Sequence, residues 1–232
     1  MKILFVCAGN LLRSVISECV FEERARELPG DASSVFEVES SGLEAQSGKE
    51  IPYPHPDSLR ALACIGLPGH DVTPTRTDDE HLRRADLAIT MTRQQCYVMA
   101  SRFPEYRRKC FSLLEVNGAL WTLMDGRQLS IDDGAVEALA KGISPRDLSY
   151  GLARVTSTLT GTPRELFFPL EGVPLNVKEL MTLFAPCFFQ VSGVHDPMGG
   201  TEKELEKCAR QLDREVTRFL HGLVSLALGS DA

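Results

Sequence analysis

The sequence predicts an α/β fold, a four-stranded parallel sheet flanked by helices, on three observations. Short apolar runs alternate with helix-period segments through the first half of the chain, and a small-residue turn at Ala8-Gly9-Asn10 carries the first strand straight into the first helix. A long amphipathic segment closes the chain. The first strand is placed at 2–6 on the run Ile3 to Val6. Val15, Ile16, Val20 and Phe21 then recur at helical spacing and predict a helix over 14–28. Strands follow at 35–39, 86–90 and 110–113, between helices around 56–66, 78–84 and 93–102. From Thr201 to Leu228, one helix face gathers Leu205, Cys208, Leu212, Val216, Phe219, Leu220 and Leu223, with Glu and Lys between them.

Composition bounds the function. The 232 residues are 43% hydrophobic, enough for a sizeable core. A net charge of -7 with no raised lysine and arginine block argues against a nucleic-acid partner. Arg83-Arg84 and Arg107-Arg108-Lys109 read as solvated helix ends. The apolar run after Met1 stops within four residues and Arg13 follows, so neither a signal nor a lipoprotein leader is expected, and no segment is long enough to span a membrane. The seven cysteines lack paired spacings, which predicts reduced thiols in a cytoplasmic protein with no metal site. No metal or organic cofactor is expected.

Chemistry concentrates in Cys7-Ala8-Gly9-Asn10-Leu11-Leu12-Arg13-Ser14. The residues of the turn tolerate left-handed backbone, so successive N–H groups face inward and meet the helix N-terminus at Ser14, a ring suited to a tetrahedral dianion. Arg13 adds a bidentate fork, and the same positive field favours the thiolate of Cys7, a nucleophile beneath bound phosphate. Spacing alone carries none of this, because Cys96 to Arg102 and Cys208 to Arg214 repeat it. Those two lack glycine between their ends and read as helical faces with buried cysteines.

The segment Val6 to Ser14 resembles the active-site loop of the low-molecular-weight protein tyrosine phosphatases, whose pattern is Val-Cys-x-Gly-Asn-x-Cys-Arg-Ser-Pro. Val194-His195-Asp196-Pro197 resembles that family's Asp-Pro acid loop, Ser40-Ser41-Gly42 its serine-rich turn, and Arg84 to Met91 its third strand. The resemblance implies the phosphotyrosine protein phosphatase I-like fold and a phosphocysteine intermediate on Cys7. It implies that Arg13 and the amides of Ala8 through Ser14 hold the phosphate, and that Asp196 is the general acid. Ser14 is expected to donate to the Cys7 sulfur, while Asn10 pairs with Ser40 to hold the loop. The expected substrate is a phosphorylated protein or a small aryl or acyl phosphate. Thiol-dependent arsenate reduction, which needs resolving thiols such as Cys64, Cys96 or Cys110, and a non-catalytic phosphate or phosphopeptide-binding module are the alternatives.

The chain also departs from that pattern. Leu12 stands in place of a second cysteine, Val15 in place of proline, and Met198 where an aromatic residue is usual; Glu44 to Lys49 offers no aromatic either. Tyrosine specificity is therefore less secure than phosphatase chemistry. Some seventy residues separate Leu114 from Pro186, too many for a structureless connection. They predict a catalytic domain of 1–116 with 187–232, and a helical cap or subdomain over 117–186. Helices are expected at 135–141, 145–159 and 175–184, with burial of Trp121, Phe167 and Phe168. Oligomeric state is left open.

Overall fold

The apolar run after Met1 forms β1, Lys2–Cys7, the second strand in a sheet ordered β2-β1-β3-β4, all parallel. β2 is Glu37–Gly42, β3 is Leu87–Thr90 and β4 is Cys110–Ser112. The helices are α1 (Arg13–Glu27), α2 (Pro56–Cys64), α3 (Asp79–Arg84), α4 (Arg93–Arg102), α5 (Leu113–Leu123) and α6 (Glu202–Gly229). This computed structural model describes residues 1–29, 32–46, 54–69, 73–123 and 193–229, and between 124 and 192 only Ser144, Pro145, Leu148, Ser149 and Leu152.

Both faces of β1 are covered, which is why its sequence is continuously apolar instead of alternating. Ile3, Phe5 and Cys7 belong to a core shared with α1, α5 and α6. Leu4 and Val6 face the other way, against Leu82, Ala85, Cys96 and Met99 of the α3 and α4 side. In the first core Phe5, Phe21 and Phe219 are fully buried with ring centres 6.0 to 6.3 Å apart. Each contributes about 2 kcal/mol of burial, so together they clamp α1 and α6 to the strand that carries Cys7. All seven positions expected on the inner face of α6 are buried, and Cys96 and Cys208, the two decoy cysteines, are core residues.

Three expectations need correction. The second strand does not end at 39: β1 and β2 pair from Lys2↔Glu37 to Cys7↔Gly42, so Ser40, Ser41 and Gly42 are strand and not a turn after it. Serine and glycine are poor strand formers, and here the ladder with β1 overrides their preference. The fourth strand ends at Ser112, and Leu113 opens α5, which runs through residue 116 and packs on α6. Trp121 is 43% exposed, its ring lying against the Arg218 guanidinium at 5.6 Å. Of the helix expected at 145–159, Pro145, Leu148, Ser149 and Leu152 are helical, and both leucines join the first core. The expected helices at 135–141 and 175–184, with Phe167 and Phe168, lie outside the described residues.

Candidate active site

In an open parallel sheet the ligand crevice lies beyond the carboxyl ends of the strands, where the strand order reverses. Here that point falls at the end of β1, between β2 and β3, and the chain places Cys7 there. The turn after it depends on Asn10, whose φ of 54° is left-handed. Its fully buried side chain fixes that conformation: Nδ2 donates to Ser14 Oγ at 3.1 Å and to Ser40 Oγ at 2.8 Å, while Oδ1 accepts from Thr75 N at 2.8 Å. Because Ser14 Oγ already accepts from Asn10, its own hydrogen is free for Cys7 Sγ, 3.0 Å away. Asn10 N donates to the same sulfur at 3.2 Å. Two donors on one buried sulfur stabilise negative charge there.

α1 begins without a side-chain cap at Leu12, leaving its first-turn N–H groups to an anion. Arg13 is 5% exposed. Its Nη1 donates to Val194 O at 3.0 Å, and its Nη2 pairs with Asp196 Oδ2, 183 residues down the chain. A buried guanidinium needs such a partner. Sequence-predicted Cys7, Arg13, Ser14, Asn10, Ser40 and Asp196 thus meet at one end of the sheet; Ala8, Gly9, Leu11 and Leu12 complete the loop, with Leu12 turned into the core.

Several residues build the site through contacts that were not anticipated. Gly42 backs the loop: a Cβ there would lie 2.6 Å from Ala8 O and Asn10 N. Gly193 does the same for the acid loop, against Met91 O at 2.6 Å. Asp57, at the start of α2, accepts from Gly199 N at 3.0 Å and so ties down the turn after Asp196. Hydrogen bonds from Arg60, then from Gly199, hold the Asp57 carboxyl below the usual range. Glycines in the motifs were visible in sequence, but what they touch is set by topology.

The remaining cysteines are arranged differently. Cys96 and Cys110 lie in the second core, across the sheet from Cys7. Cys208 is on the Cys7 side, where burial pushes its thiol up to about 12, opposed by the nearby Arg13 charge. Among the described residues no cluster of His, Cys, Asp and Glu is set to hold a metal.

A family model described as low molecular weight phosphotyrosine protein phosphatase matches residues 2–134, more than half of the chain. The chain belongs to the low molecular weight phosphotyrosine protein phosphatase family. It is a hydrolase of that type, and the four-stranded sheet with its cradle after β1 is the family fold. A protein-arginine-phosphatase of Bacillus subtilis (strain 168) is 34% identical over 134 residues, covering 57% of this chain and 83% of that protein. The low molecular weight protein-tyrosine-phosphatase PtpB of Staphylococcus haemolyticus (strain JCSC1435) is 30% identical over 132 residues, 57% of this chain and 86% of that protein. Among solved structures, YwlE arginine phosphatase from Geobacillus stearothermophilus aligns with TM-score 0.56 and 20% identity, covering 98% of this chain and 96% of the other. That likeness speaks for the fold alone.

Proposed function

We propose that this phosphatase-family chain is a protein-tyrosine phosphatase acting through a phosphocysteine on Cys7. The observation that carries the reading is the convergence of Cys7 Sγ, held by Ser14 and Asn10, with Arg13 and Asp196. In this mechanism the Arg13 fork and the amides of Ala8 to Ser14 take the equatorial phosphate oxygens. The Cys7 thiolate attacks phosphorus in line as the ester P–O bond breaks, and Asp196 gives its proton to the leaving phenolate. Asp196 then accepts a proton from water, whose oxygen attacks phosphorus and breaks the P–S bond, releasing inorganic phosphate and the thiolate. Asp196 pairs with Arg13, so a phosphate that takes the Arg13 fork displaces the carboxylate toward the leaving oxygen.

In the same reading residues 1–116 and 187–232 make the catalytic domain, and 117–186 a cap beside the acid loop. α5 carries the start of that segment onto α6, and Leu148 and Leu152 join the core. Six described cysteines are free thiols, which fits a reducing, cytoplasmic setting. No helix among the described residues is long and apolar enough to cross a membrane.

Turnover of an aryl phosphate by wild type, Cys7→Ser and Asp196→Asn tests the reading. Cys7→Ser abolishes turnover and Asp196→Asn lowers kcat by about 10²-fold or more, as loss of a general acid does. Phosphate binding without turnover in wild type would instead favour the binding module. Cys96 and Cys110, across the sheet from Cys7, are not placed to resolve an arsenate adduct, whereas Cys208 lies on the Cys7 side, so arsenate with a thiol donor is assayed in parallel. A second reading, phosphoarginine as substrate, is favoured by the protein-arginine-phosphatase among the relatives. The ratio of kcat/KM for phosphotyrosyl and phosphoarginyl peptides of one sequence decides between them.

A further inference from the structure

Along the exposed side of α6, Lys203, Lys207, Arg210 and Arg214 follow one another at intervals of four, three and four residues, the spacing of a single helix face. With Gly193, His195, Glu206 and Gln211 they line a cavity of about 710 Å³. Gly193 and His195 flank Val194, and His195 precedes Asp196, the two residues that meet Arg13. The groove therefore adjoins the segment that brings Val194 and Asp196 to Arg13. Five basic or titratable basic side chains line it with the Glu206 carboxylate, while Glu204 lies near His195 and Glu215 is paired with Arg214, in a chain whose net charge is -7. Among the described residues Lys203 and Lys207 are exposed and have no ion pair. Arg210 pairs with Glu206 at 2.8 Å, and with side chains 64% and 42% exposed this is a weak, exchangeable pair, whereas Arg214 is held at 2.9 Å by the buried Glu215 and keeps its outer face open.

We propose that this groove is a docking site for an acidic stretch of the phosphorylated polypeptide substrate, carboxylate residues adjoining the phosphorylated side chain. The inference rests on the phosphoprotein phosphatase reading above and adds a substrate class to it. The stripe from Lys203 to Arg214 is roughly 16 Å long at about 1.5 Å per residue, room for about five residues of extended peptide. A short basic strip on an acidic molecule suits a short acidic peptide; a long polyanion would meet repulsion from the rest of the surface.

The test uses two phosphopeptides that share the phosphorylated residue, one flanked by five Asp and Glu residues and one by five Ser and Ala residues. With wild type at low salt, kcat/KM for the acidic peptide exceeds that for the neutral one by about tenfold, carried in KM. The ratio falls toward one in about 0.5 M NaCl, and also at low salt in the double variant Lys203→Glu, Lys207→Glu, whose sites are exposed and outside the core. Anisotropy measurements with Cys7→Ser give the same ordering in Kd and read the surface without turnover. Equal kcat/KM for the two peptides in wild type, or a preference that survives the double variant, overturns the proposal. Loss of aryl phosphate turnover in wild type strikes the catalytic reading instead; a tenfold Kd difference in the Cys7→Ser protein would then still support the groove.

Discussion

Gly42→Ala adds one methyl group directly behind the phosphate cradle. The new Cβ would lie 2.6 Å from Ala8 O, 2.6 Å from Asn10 N and 2.8 Å from Gly9 C, where ordinary contact starts near 3.4 Å. The three atoms are backbone, so no side chain can swing away, and relief requires the loop to retreat by roughly 0.8 Å, the difference between those contacts. Retreat is resisted, because Leu43 N donates to Cys7 O at 2.9 Å, Glu44 N to Ala8 O at 2.8 Å, and Asn10 is tied to Ser40 and Thr75. Overpacking of this kind costs about 1–3 kcal/mol of stability. A displacement of that size at reacting groups costs on the order of 10²-fold in rate. The expected result is a folded variant with kcat on an aryl phosphate lowered about 10²-fold and Tm lowered by several degrees.

A paired variant separates geometry from general destabilisation. In Gly222→Ala the nearest atoms are Leu120 Cδ1 at 3.0 Å and Cβ at 3.2 Å, contacts that need α5 and α6 to give only a few tenths of an ångström, while the helix gains about 1 kcal/mol of propensity. Its kcat should match wild type with Tm little changed. If Gly42→Ala keeps kcat within threefold of wild type, or Gly222→Ala loses as much activity, the argument that Gly42 sets the cradle is refuted.

Other perturbations have equally definite expectations. Burial raises the Glu18 carboxyl from 4.5 to about 7, so the folded chain holds a proton that the unfolded chain releases between those values. Stability therefore falls as pH rises from about 4.5 to 7 and levels off above; Glu18→Gln should remove that slope, worth about 3 kcal/mol, in urea titrations at pH 4.5 and 8. At neutral pH a limiting alkylating reagent should label Cys7 before Cys208, whose thiol is pushed up to about 12; peptide mapping that finds Cys208 labelled first contradicts this. Asp57→Ala removes the acceptor for Gly199 N and should lower kcat about tenfold with KM little moved, whereas equal losses in both would point to a collapsed α2.

The cradle was legible because its parts are contiguous: strand, turn and helix start all fall between Lys2 and Arg13, and local chemistry decides each. The end of β2 was not, since Ser40-Ser41-Gly42 has the composition of a turn and becomes strand only through its ladder with β1. Asp57 was missed for a related reason, its partner being 142 residues away and visible only once the topology is known. α5 is a different case. Leu113, Val116, Ala119 and Leu120 are all buried at helical spacing, a signal present in the sequence but masked by Asn117 and Gly118 between them.

The same contrast explains how Asp196, the proposed acid, is placed so far along the chain from Cys7, the proposed nucleophile. The acid loop is pinned by groups from the first half of the chain: Val194 N donates to Met91 O at 2.9 Å, Arg13 donates to Val194 O at 3.0 Å, and Gly199 N donates to Asp57 at 3.0 Å. Gly193 allows the first of these, because any side chain there would strike Met91 O and Thr92. Anchors on both sides of Asp196 leave its carboxylate little freedom except to rotate toward or away from Arg13. The position of Asp196 is thereby set by the end of β3, α1 and α2, so a long segment before Gly193 is compatible with the site: its length adds chain entropy slowly, whereas the anchors act locally.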